Sequence, residues 1–129
     1  NAYDNTILYT DYILSSVIDK LKARAGKLSG SMLYMSDHGE SLGEKGLYLH
    51  GTPYMFAPSE QTHVPFVVWM SDAFAETARI DRACISALSG EEVSHDNLYH
   101  TALGMMDIIA ASRDPKLDLT NGCKQAGSK

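Results

Sequence analysis

Two short apolar runs, separated by a long segment punctuated with glycine, proline and histidine, constrain this chain more than any other feature. Residues 31–36, Ser-Met-Leu-Tyr-Met-Ser, lie between Gly30 and Gly39; residues 64–70, Val-Pro-Phe-Val-Val-Trp-Met, are rich in β-branched and aromatic side chains. Short apolar runs bounded by turn residues read as strands, the first buried on both faces and the second its neighbour. Pro65 falls near the start of the second run, where a missing N–H matters least. The connection between them, residues 37–63, holds Gly39, Gly43, Gly46, Gly51, Pro53 and Pro58, and three of the chain's five histidines, His38, His50 and His63. A compact α/β unit rarely keeps so long an irregular connection unless it builds a site.

Elements on either side complete an α/β pattern. From Tyr3 to about Ala25, apolar Tyr3, Ile7, Leu14, Val17, Ile18 and Leu21 recur at helical spacing, which predicts an amphipathic helix with Gly26 as a left-handed cap. Residues 73–88 are weakly helical and polar and are expected to be irregular or a short helix. Ser94 or Asp96 can cap a last helix running to Ile109, with Leu103, Met105, Met106, Ile108 and Ile109 as its core side. The tail from Arg113 is polar and broken by Pro115 and Gly122.

With 129 residues and 44% hydrophobic content, the chain is long enough for one domain or for a slice of a larger one. It does not begin with methionine and opens on a helix start, so an upstream part is expected. A net charge of -5 without basic clusters argues against nucleic acid as a partner. No stretch reaches the roughly 18–20 apolar residues that cross a bilayer. Cys84 and Cys123 are the only cysteines, and their spacing permits a bridge or two unpaired thiols equally.

The chemistry concentrates where the first strand ends. Ser36-Asp37-His38-Gly39-Glu40 occupies the position from which ligand groups project in open parallel sheets. Adjacent strand residues face opposite ways, so Asp37 and His38 share a metal only if the chain turns, which Gly39 permits. Carboxylate oxygen and imidazole nitrogen both suit zinc. His50, beside Gly51, has an imidazole able to donate to a phosphate oxygen. On spacing alone, a turn cap and two ordinary loop histidines is the stronger reading. Glu40 and Glu44 read as solvated rather than as acceptors behind a histidine. Tyr48, Tyr54 and Phe56 read as packed under the loop rather than turned to a membrane interface.

The longer context shifts the balance. The run from Ser36 through Glu44, then Tyr48-Leu49-His50-Gly51 and Ala57-Pro58-Ser59-Glu60-Gln61, resembles the lipid A phosphoethanolamine transferases, including the mobile colistin resistance enzymes. Tyr3-Asp4-Asn5-Thr6-Ile7 with Tyr12, and Ser94-His95-Asp96-Asn97-Leu98, carry the resemblance across most of the chain. It implies an alkaline-phosphatase or sulfatase-like α/β/α sandwich, of which residues 1–129 would be the C-terminal part. It also implies a bacterial inner-membrane enzyme facing the periplasm, anchored by N-terminal helices outside this chain.

By the same resemblance, Asp37 and His38 would ligate zinc and His50 would meet the phosphoethanolamine phosphate or a second zinc ion. Phosphatidylethanolamine would be the donor and lipid A the acceptor. The family's threonine nucleophile and its ligating glutamate lie upstream of anything matching here, and Thr6, Thr10 and Thr52 do not fit the nucleophile's motif. Turnover by the isolated segment is therefore not expected. A relative acting on another envelope acceptor, or an inactive truncated metal-binding module, are the alternatives.

Overall fold

The computed structural model describes residues 2–125. Leu33–Val68 form one compact unit, and the described residues before and after them form another. Helix α1, Ala2–Lys22, ends in successive turns through Leu28 and leads into β1, Ser31–Met35. A small hairpin follows, β2, Ser41–Leu42, and β3, Tyr48–Leu49, and then the single helical turn α2, Ser59–Thr62. Strand β4, Phe66–Met70, pairs with β1. Three helices close the sequence: α3, Asp72–Ala78; α4, Arg82–Ala87; and α5, Asp96–Met105.

Both predicted strands exist, but they are half-buried rather than buried on both faces. Only these two strands make up their sheet among the described residues. Their direction follows from the hydrogen bonds at each end. The Ser71 N–H donates to the Gly30 carbonyl at 2.9 Å, and the Ser36 N–H to the Pro65 carbonyl at 3.4 Å. The start of β1 therefore lies beside the end of β4, and the pair is antiparallel rather than parallel.

Helix α1 forms over most of the predicted stretch but ends at Lys22 without Gly26 as a left-handed cap, none of its residues is buried, and Leu8, Tyr9 and Tyr12 are 66%, 64% and 66% exposed. Residues 73–88 are more regular than their composition suggests, because two side chains start helices there. Ser71 accepts the Phe74 N–H at 3.1 Å, and Asp81 accepts those of Ala83 and Cys84. Helix α5 stops four residues short of Ile109. Asp107 takes a left-handed conformation (φ 56°), its N–H donating to Gly104 and that of Ile108 to Leu103, which is the Schellman closure. Met105 is buried as expected, whereas Met106 at the helix cap and Ile108 and Ile109 past it are exposed rather than core.

The apolar core of the flanking unit is Met70, Ala75, Ala78, Ile80, Met105 and Cys123. Of the two readings open for the cysteines, the bridge is the one found: Cys84 and Cys123 are disulfide-bonded, with Cα atoms 5.4 Å apart. Beside it, Ile80 pairs with Lys124. Asp118, its side chain wholly buried, takes the Thr120 N–H and hydroxyl and the Arg113 guanidinium. A Cβ at residue 104 would run into that carboxylate, which is why a glycine stands in the helix there.

Candidate metal centre

The Leu33–Val68 unit carries the chemistry. Where β1 ends, the chain turns sharply: the Ser36 hydroxyl donates to the His38 carbonyl at 2.9 Å, and Asp37 Oδ1 accepts the His38 N–H at 3.2 Å. Gly39 passes so close to α2 that a Cβ would collide with the Glu60 carbonyl, and its N–H donates to the Gln61 carbonyl at 2.9 Å. The predicted turn at Gly39 is thus present, and its cause is close backbone approach.

The hairpin then returns the chain to the same place. Ser41 pairs with Leu49 and Leu42 with Tyr48, across a turn in which Gly43, Lys45 and Gly46 all have positive φ. Glu44 closes this turn by accepting the Leu42 N–H at 2.7 Å. Its own backbone N–H and then that of Leu42 hold its carboxyl below the ordinary value. Leu49 is left-handed as well (φ 65°), a strained conformation for a branched side chain, of a kind that clusters at functional sites. It redirects the chain out of the strand at the residue before His50.

As a result His50 lies on His38, the ring centroids 3.8 Å apart and the planes 27° from parallel. His38 Nδ1 is 2.9 Å from the Gly39 carbonyl, and a carbonyl can only accept, so Nδ1 carries the proton. His50 Nδ1 is 3.0 Å from Glu40 Oε2 and donates in the same way. With Nδ1 so committed, Nε2 is the nitrogen of each ring that could ligate a metal. His38, Glu40 and His50 each offer a ligand atom within 4.8 Å of the others. The other oxygen of Glu40, Oε1, is buried with no hydrogen-bond partner, an anionic acceptor awaiting a donor or a cation. Two nitrogens and a carboxylate are a donor set that suits zinc.

Set against expectation, the fold brings His38 and His50 together. Asp37 stays beside them: its Oδ2 is 3.8 Å from His38 Nε2, but its side chain is 90% exposed and belongs to no cluster. Glu40, read from sequence as solvated, is a member of the cluster. Its signal was the register of a two-residue hairpin, which composition does not reveal. Tyr48, Tyr54 and Phe56 are 69%, 86% and 74% exposed rather than packed under the loop. His63, His95 and His100 stand outside the cluster; His100 Nδ1 accepts the Asp114 N–H at 2.9 Å.

Residues 1–108 match the sulfatase family. The chain is 41% identical over 126 residues, 97% of its length, to phosphoethanolamine transferase EptA of Salmonella typhimurium, covering 23% of that protein. It is 37% identical over 110 residues, 82% of its length, to the Kdo(2)-lipid A phosphoethanolamine 7''-transferase of Escherichia coli, covering 19% of it. It therefore spans about a quarter or less of the relatives it matches. Among solved structures, the soluble domain of lipooligosaccharide phosphoethanolamine transferase A from Neisseria meningitidis superposes with a TM-score of 0.90 at 45% identity, over 96% of this chain and 37% of that one. The fold is accordingly part of a sulfatase-like α/β/α domain.

Proposed function

Since the chain belongs to the sulfatase family, and the relatives it resembles are phosphoethanolamine transferases, we propose that residues 1–129 are the C-terminal part of the catalytic domain of such an enzyme. Phosphatidylethanolamine would be its donor, a lipid A phosphate its acceptor, zinc its metal, and a threonine outside this chain its nucleophile. The observation that carries this reading is the stacked pair His38 and His50, each with Nδ1 committed to an oxygen and Nε2 left free.

His38 would hold the metal, with Asp37 beside it as the resemblance implies and Glu40 and His50 completing the clustered donor set, His50 being placed also for the phosphate of the transferred group or a second ion. Bound zinc would supply Lewis-acid stabilisation of phosphoryl charge and activation of a hydroxyl nucleophile. Glu40 fixes the plane and tautomer of His50, so the imidazole that meets the phosphate does so through Nε2 alone. With Nδ1 donating to Glu40, His50 would bond a phosphate oxygen only through a protonated Nε2, whereas an unprotonated Nε2 would ligate a metal ion. The Cys84–Cys123 bridge suits an oxidising compartment such as the periplasm. No helix of the described residues is long and apolar enough to cross a membrane, so anchoring would come from outside this chain.

The test is mass spectrometry of lipid A from cells expressing the full-length protein, beside His38→Ala. Added phosphoethanolamine that the substitution removes supports the reading; addition that survives His38→Ala removes His38 from the metal site. One relative is named for a 7''-transfer to Kdo(2)-lipid A, which favours a second reading in which the acceptor is another group of the envelope glycolipid. Locating the added group within the glycolipid separates the two.

A further inference from the structure

We propose that Gln61 is the positioning residue of this centre, the strut that sets the distance and angle between the two histidine-bearing arms. The proposal rests on the metal-site reading above. In the Leu33–Val68 unit only two side chains are buried, Ser41 at 1% and Gln61 at 5% exposure, and they bond to each other. Gln61 Nε2 donates to Ser41 Oγ at 2.8 Å and to Thr52 Oγ1 at 3.3 Å. Ser41 directly follows Glu40, and Thr52 lies two residues past His50. The main chain of Gln61 adds a third tie, its carbonyl accepting the N–H of Gly39, the residue between His38 and Glu40.

One residue thus grips the first arm at Gly39 and Ser41 and the second at Thr52, without belonging to the cluster itself. A side chain present only to fill space would not need an amide. The Oε1 of Gln61 is buried with no partner, and an unsatisfied buried polar atom weakens a fold. Leucine would fill similar volume without that defect but could not hold two hydroxyls. Retaining an amide at a cost to stability is what positioning requires, since the hydroxyls it joins belong to two arms with little apolar packing to align them.

The experiment uses the full chain with zinc alone as the probe, and compares parent, Gln61→Leu, Thr52→Val and the double variant Gln61→Leu/Ser41→Ala. Zinc affinity is read by calorimetry, the His38 and His50 ring proton shifts by NMR in metal-free protein, and the thermal midpoint by circular dichroism. Gln61→Leu is expected to lose the mutual ring-current shifts of the stacked imidazoles and to weaken zinc binding about 10–100-fold, with Thr52→Val smaller in both. The double variant, which removes the buried Ser41 hydroxyl that Gln61→Leu alone would orphan, is expected to match or exceed the midpoint of Gln61→Leu while binding zinc no better than it. Unchanged ring shifts in Gln61→Leu overturn the proposal, as does a double variant that regains affinity along with stability. If the parent itself takes up no zinc, the metal reading fails, and the ring shifts alone decide the role of Gln61.

Discussion

The two compact units are held together by opposite means. The flanking unit has an apolar core, a disulfide and a buried carboxylate saturated with donors. The Leu33–Val68 unit fully buries only two side chains, both polar, half-buries its residues of β1 and β4, and exposes Tyr48, Leu49, Tyr54 and Phe56. Apolar burial is indifferent to small rotations, whereas a hydrogen bond specifies distance and direction. The region that must hold two imidazoles in one geometry is built from the directional kind of contact, and the region that must simply persist is built from the other.

That contrast breaks if damage to one unit spreads to the other. The largest effect is expected from Asp118→Ala, which strands the Arg113 guanidinium and two Thr120 donors. It should destabilise the flanking unit by about 3–5 kcal/mol, read as a lowered urea midpoint, while the imidazole ring shifts of the other unit persist below the transition. Removing the bridge with Cys84→Ser and Cys123→Ser together opens a 39-residue separation and should cost about 2–4 kcal/mol. Here too zinc affinity should hold; a parallel loss in both would show that the centre depends on the tail.

The smallest effect belongs to Asp107. A hydrogen bond from Lys124, then its charge and that of Arg79, hold the Asp107 carboxyl below its ordinary range. A group with a depressed folded value contributes stability above its unfolded pKa of about 4 and loses it as pH falls through the folded value. Asp107→Asn should therefore lower the midpoint slightly at neutral pH and leave it unchanged at strongly acid pH. Because the site is exposed, the neutral-pH difference should shrink in added salt. Melting curves across pH at two ionic strengths measure both.

The sequence disclosed elements and chemistry better than it disclosed contacts. Periodicity marked α1 and the two strands, and the Asp-His-Gly triplet with His50 singled out two histidines that the fold stacks, since apolar spacing and turn glycines act locally. Three features escaped. The helix end at Asp107 depends on a non-glycine residue in a left-handed conformation, held by Arg79 and Lys124 from distant parts of the chain. The cluster role of Glu40 depends on hairpin register. The exposure of Tyr54 and Phe56 depends on what the rest of the fold brings over them. Each is set by tertiary pairing, which local pattern does not encode.

The hairpin turn between Leu42 and Tyr48 also makes the interval from His38 to His50 a ruler. Strand pairing advances in whole residues and alternates faces, so a single inserted or deleted residue among Gly43, Glu44, Lys45 and Gly46 would slip the register and turn His50 away from its partner ring. Substitutions along the exposed faces of β2 and β3 leave that length untouched. In diverging copies of this segment, conserved loop length should mark those that still hold the imidazole pair, even where the surrounding surface has drifted beyond easy alignment.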